Sequence, residues 1–326
     1  MGRLKRSLLG GSLLVILLHA VVAQTGADVA RVQGLLGAAR AALGGEERLK
    51  NVQGLMVAGK FRRVMAMRMQ TAGAPAPAGA TIMHGAGEAP PQLTGDVELA
   101  FALPDKYVRT NELDTPMGGS ITELVGFDGA QPWSDVRTDG GGMLVIRRPQ
   151  VATAGAPGAQ DGAQRVRAEI ARYTLAFLLS APTAEGVEWA YVGEAEAEDG
   201  RADVLDCKGA HGFNARLFLD KQTHRPLMLT YRSTEPVMRM EMRSGPPPAG
   251  GASEPREART PADIPPPEMR ERETEVHFGD YRAEDGIMFP HQLTFARDGE
   301  VSEEWELKTI KVNPQFKPDK FQKKGK

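Results

Sequence analysis

Three kinds of side chain could do chemistry in this chain: its single cysteine, its six histidines and the carboxylates that would have to join them. Cys207 lies in a strand-like run that includes Leu205 and Lys208. A thiol there reads as a small buried apolar residue, because reactive cysteines sit in exposed, electropositive surroundings. With one cysteine no intramolecular disulfide can form, so apolar burial must hold the fold together. His84 falls in low-complexity sequence, and His211 and His224 flank a hairpin whose far ends they do not share. His277 and His291 could meet on neighbouring strands, but a metal needs a further ligand at a defined spacing and none stands out. There is no G-x-S-x-G elbow, H-E-x-x-H helix, P-loop or glycine fingerprint opening a helix after a strand. No catalytic residue, metal or cofactor is therefore assigned, and the protein is read as non-enzymatic.

The informative pattern is apolar. Met238, Met240 and Met242 alternate with Arg239, Glu241 and Arg243, and Met65, Met67 and Met69 alternate with Ala66 and Arg68. A strand puts each trio on one face, and unbranched thioethers adapt to irregular apolar guests. These six methionines are the candidate lining of a ligand cavity on the concave face of a sheet. A sheet packed dry against a helix needs the same alternation, and Leu217 with Leu219, Leu293 with Phe295, and Trp305 with Leu307 extend either surface.

The elements that would position these faces follow from periodicity. Val29, Val32, Leu36, Ala39 and Leu43 recur at helical spacing between Asp28, a possible N-cap, and the stop Gly44-Gly45. A short turn, Glu46 to Asn51, leads into a first strand from Val52 to Met69. Alternating runs predict strands at 97–101, 107–113, 121–127 and 143–147. A second helix is predicted over Gln164 to Ser180, where Val166, Ile170, Tyr173 and Phe177 share a face and Ala181-Pro182 ends it. Asp-Gly pairs at 128, 199, 285 and 298 sit between strand-like runs and suit tight hairpins. Strand following strand with two substantial helices excludes a βαβ plan. The fold class is mainly β (α+β): one large curved antiparallel sheet, a half-barrel of about ten to twelve strands with about two covering helices. The Ala, Pro and Gly-rich stretches 71–93, 151–163 and 245–267 are expected to be flexible insertions in that one domain.

At the amino terminus Arg3, Lys5 and Arg6 precede an apolar run from Leu8 to Val22, and Val21 and Ala23 supply the small residues of a cleavage site. Residues 1–23 are expected to be a secretory signal peptide, with an uncleaved anchor as the rival reading, leaving a domain over 24–326 in the periplasm. The run is about 15 residues, short of the roughly 20 that span a bilayer. Formal net charge is -2, and loss of the leader's cations makes the remainder more acidic. That excludes a nucleic-acid partner, which would call for a basic face.

Several turn and strand patterns together resemble periplasmic proteins related to the lipoprotein-sorting carriers LolA and LolB. The first is Ala41 to Glu46 with Leu49, Val52 and Leu55; the second is Gly126-Phe127-Asp128-Gly129 followed by Trp133. The third is Ala215 to Asp220 with Thr223 and Pro226-Leu227. The fourth is Phe278 to Tyr281 with Asp285 to Pro290, and the chain closes on Ile310 to Pro314, Phe316 and Phe321. The resemblance implies a half-barrel whose concave face, partly covered by helices, holds acyl chains; related sheets serve regulators such as RseB. The implied partner is a lipid or lipidated protein, with other envelope proteins as alternatives if the same sheet is a docking or stress-sensing module. A hydrolase of an unrecognised kind would need convergent titratable groups in a pocket.

Overall fold

The computed structural model describes residues 26–64, 92–114, 119–139, 159–180, 186–197, 200–210, 213–236 and 269–323. The chain opens with α1 (Gly26–Ala42) and the short α2 (Glu46–Lys50), then β1 (Gly54–Val64), β2 (Gln92–Ala102), β3 (Lys106–Asp114), β4 (Ser120–Asp128) and β5 (Pro132–Asp139). After α3 (Ala159–Leu178) come β6 (Val187–Ala197), β7 (Gly200–Gly209), β8 (Asn214–Asp220) and β9 (Pro226–Pro236). The last strands are β10 (Met269–Glu284), β11 (Ile287–Arg297) and β12 (Glu300–Val312). All twelve form one antiparallel sheet in the order β5-β4-β3-β2-β1-β12-β11-β10-β9-β8-β7-β6. The sheet is open, with β5 and β6 at its edges, as the half-barrel expectation requires.

The sheet must curve around α3. Arg167 lies 5.0 Å from the Phe127 ring centre on β4, and Arg172 lies 3.9 Å from that of Tyr231 on β9. These strands are seven spacings apart, about 34 Å on a flat sheet. The two arginines are separated by only about 8 Å of helix axis. Alternate residues then sort cleanly: Leu99, Phe101 and Tyr107 face the helices, whereas Ala100 and Val108 face outward and are covered by Phe321. The main core joins Val32, Leu36 and Ala39 of α1, and Ile170 and Phe177 of α3, to the concave side.

Local chemistry accounts for most boundaries. Asp285 and Gly286, and Asp298 and Gly299, all take positive φ (50°, 76°, 51° and 82°), the pair of left-handed residues that closes a two-residue hairpin. The Asp128 loop works differently: its Oδ1 accepts from the backbone N–H of Ala130 and Gln131 at 2.9 and 2.7 Å, a side-chain turn.

Three expectations shift. Val29 is 47% exposed, so the buried stripe of α1 begins at Val32. Leu93 belongs to β2 rather than to the 71–93 insertion, and α3 starts at Ala159, five residues before Gln164, so the end of the 151–163 stretch is helical. The leader, the 143–147 strand and the 245–267 stretch lie outside the described residues. No helix among the described residues is long and apolar enough to cross a membrane.

Candidate ligand groove

Strand register builds a surface that changes character along its length. One row across the concave face is Tyr231–Thr274–Arg297 on β9, β10 and β11. The next is Leu229–Val276–Phe295, continued by Glu303 on β12 and Arg63 on β1. The third is Phe278–Leu293–Trp305–Phe61. Polar side chains thus give way to apolar ones within two residue steps.

Over this surface α3 leaves a half-open groove of about 760 Å³, within the range of about 300–1,000 Å³ usual for small-molecule sites. Ala168, Arg172 and Ala176, one helical stripe at i, i+4 and i+8, form its roof. Leu229, Val276, Leu293 and Phe295 form much of its floor. Thr274 is buried in the floor, and its Oγ1 has no hydrogen-bond partner among the described residues.

A charged network forms the wall at the β1–β3 side. The Glu303 carboxylate accepts from Arg109 Nη2 at 2.7 Å, Arg63 Nε at 2.8 Å and Trp305 Nε1 at 2.5 Å. Arg109 Nε donates to Asn111 Oδ1 at 3.1 Å, and its guanidinium lies 4.8 Å from the Trp305 ring centre. Burial by itself would raise the Glu303 carboxyl; Arg109 and then Arg63 outweigh it and hold it at about 2. Two contacts tie α3 to this wall: Arg109 Nη1 donates to Tyr173 Oη at 3.3 Å, and Tyr107 Oη donates to Glu169 Oε1 at 3.0 Å. Burial, reinforced by Glu169, pushes the Tyr107 phenol well above its ordinary range, so it stays a donor. Glu303 is thus held by two arginines and an indole and Glu169 by a phenol, contacts that position α3 over the sheet.

The six methionines Met65, Met67, Met69, Met238, Met240 and Met242 lie outside the described residues. Leu217, Leu219, Leu293, Trp305 and Leu307 are all buried in the main core, with Leu293 also reaching the groove. Cys207 is buried, and burial followed by the neighbouring Asp206 pushes its thiol up to about 12, the inert form expected. His291 is in phase with Phe289 and Leu293 and buried, its Nδ1 3.2 Å from the Phe289 carbonyl oxygen and its Nε2 3.4 Å from Glu284 Oε1. His277 lies between the inward Val276 and Phe278 and points outward beside Glu275, so the two histidines do not meet. Among the described residues no three His, Cys, Asp or Glu side chains are grouped to hold a metal.

Sequence reading missed Arg63, Arg109, Arg172, Thr274 and Glu303. A signal existed for two of them: Arg109 is in phase with Tyr107 and Leu113, and Glu303 with Trp305 and Leu307, so each places a charge on an otherwise apolar face.

Fold and groove together define an open antiparallel half-barrel sheet with a helix laid along its concave side. No family model and no curated relative matches the chain. Among solved structures it is similar to a LolA superfamily protein of Nitrosomonas europaea: 13% identity, TM-score 0.40, covering 90% of this chain and 97% of that one. A DUF1329 family protein of Desulfovibrio piger gives 11% identity and TM-score 0.42, over 89% and 97% of the two chains. The MucA/MucB complex of Pseudomonas aeruginosa gives 12% identity and TM-score 0.17, over 87% of this chain and 100% of that one. Function is read from the groove, not from these likenesses.

Proposed function

We propose that the protein is exported to the periplasm and binds a lipid, or the acyl chain of a lipidated protein, in the groove beneath α3, without catalysing a reaction. The observation that carries this is the change across the floor from the row Tyr231–Thr274–Arg297 to the apolar Leu229, Val276 and Phe295, with Leu293 beyond them. An amphiphile laid along it would bury its tail against Val276, Leu293 and Phe295 and keep its polar end at the open side. Each methylene so buried contributes about 0.8 kcal/mol, so even a medium-length chain supplies useful affinity. Native mass spectrometry of protein purified from the cell envelope tests the reading: the expected spectrum shows added masses of acyl lipids. Ala168→Trp, which puts an indole into the groove from the roof, should remove them while the protein stays folded. An empty groove in the wild type together with a stable protein partner would overturn lipid binding in favour of a docking role for the sheet.

A further inference from the structure

Where the floor of the groove turns from polar to apolar, one buried hydroxyl is left over. Thr274 is 3% exposed and lines the groove, and its Oγ1 has no partner among the described residues. A buried donor in that condition is costly unless something else meets it. The charged and phenolic groups around it are already engaged or lie in solvent. Tyr231 and Arg297, its neighbours in register, have partners within the chain, as does Arg172, whose guanidinium lies over the Tyr231 ring. Glu303 is clamped by Arg63 and Arg109, and Glu169 accepts from Tyr107. At the open side Arg165 and Glu271 are exposed and opposite in sign. What the floor offers a guest at this point is an uncharged hydrogen-bond donor.

We propose that the Thr274 hydroxyl donates to the carbonyl oxygen of an ester-linked acyl chain lying in the groove. The proposal rests on the groove being an acyl site. The position of the hydroxyl selects that oxygen. Val276, two residues and so about 7 Å further along β10, begins the apolar floor with Leu229 and Phe295. The carbonyl is the first group of an acyl chain, at the junction of tail and head. With the tail on the apolar floor, the carbonyl comes to the Thr274 row and the rest of the head group to the open side. A carbonyl needs one donor and no counter-charge. A free carboxylate would carry its charge into a buried row whose Tyr231 and Arg297 already have partners. In the empty groove water can meet the hydroxyl, so a guest that reproduces the bond keeps it and one that cannot loses it.

The test compares three probes with hydrocarbon chains of equal length on the purified protein. They are a monoacylglycerol, the alkylglycerol ether, which keeps the linking oxygen but lacks the carbonyl, and the free fatty acid. The ester is expected to bind about 2- to 10-fold more tightly than the ether, the range of a neutral hydrogen bond. Thr274→Val copies the shape without the hydroxyl and should remove the ester's advantage, with the ether bound no more weakly than before. The variant should melt no lower than the wild type. A marked fall would reveal a partner for the hydroxyl within the chain and overturn the proposal. Equal binding of ester and ether by the wild type, or a preference that survives Thr274→Val, overturns the subsite and leaves the acyl groove standing. Fatty acid bound more tightly than ester, with that advantage lost in Thr274→Val, would put a charged carboxylate in place of the ester carbonyl and so overturn it as well. Binding of no probe overturns both the subsite and the acyl reading.

Discussion

Glu303 is the residue on which the groove wall depends. Two arginines and an indole N–H converge on one carboxylate that is 12% exposed. Its folded value of about 2 lies below its ordinary 4.5. The stabilisation it gives is therefore complete above about pH 4.5 and is lost as the pH falls through about 2. Glu303→Gln keeps the shape but leaves Arg63 and Arg109 without their shared anion, an omission that costs about 3–5 kcal/mol when a buried pair is broken. The variant should melt well below the wild type at neutral pH, and the gap should narrow progressively between pH 4.5 and 2. Melting curves of both proteins across that range check this; a gap that does not change with pH would show that the carboxylate's charge is not what holds the wall.

At the level of elements, Gly126 and Trp133 show what a motif can mean without chemistry. A Cβ added at Gly126 would come within 2.3 Å of the Trp133 ring, so β4 leaves the space into which the indole of β5 packs. That indole donates to the Phe321 carbonyl oxygen at 2.8 Å, while Phe321 covers Ala100 and Val108 on the outer face. Gly126→Ala should displace the ring and cost about 1–3 kcal/mol, the usual range for overpacking. It should also open the Lys320–Phe321 bond to trypsin. An unaltered melting temperature with a protected tail would mean that the ring can shift without cost. The strands were readable because their signals are local: period-two alternation in β2, β3 and β12, and Asp-Gly at the β10–β11 and β11–β12 turns. The groove was not readable, because Arg63 and Arg109 meet Glu303 from 240 and 194 residues away. Pairing partners at that range are fixed by the whole sheet, and no local pattern announces them. The methionine ladders that did stand out fall outside the described residues; of the groove's side chains the periodicity had singled out Leu293 and Phe295, but none of the charges that form its wall.

The whole molecule is organised by an unusual route of the chain. Strands β1 to β5 run outward from the centre of the sheet to one edge, α3 follows on the concave face as the only helix among the described residues between β5 and β6, and β6 to β12 return from the opposite edge to pair with β1. Both edges are blunted with charge, Asp135, Arg137 and Asp139 on β5, and Glu188, Glu194 and Glu196 on β6, which opposes pairing with another chain. Because α3 is the roof and β9 to β12 the floor, a guest in the groove would join the two halves of this route. Free ligand at one hundred times its dissociation constant adds about 2.7 kcal/mol to stability. For a chain of 326 residues that is a rise in melting temperature of about 4 °C. Amide exchange should slow in α3 and in β9 to β12, where opening would release the guest, while α1 and the β6–β7 edge exchange as before. Acyl lipid added to delipidated protein, followed by exchange mass spectrometry, measures both effects at once. Protection confined to α1 and β6 would move the guest site away from the groove, and an unchanged melting temperature at saturating lipid would remove it.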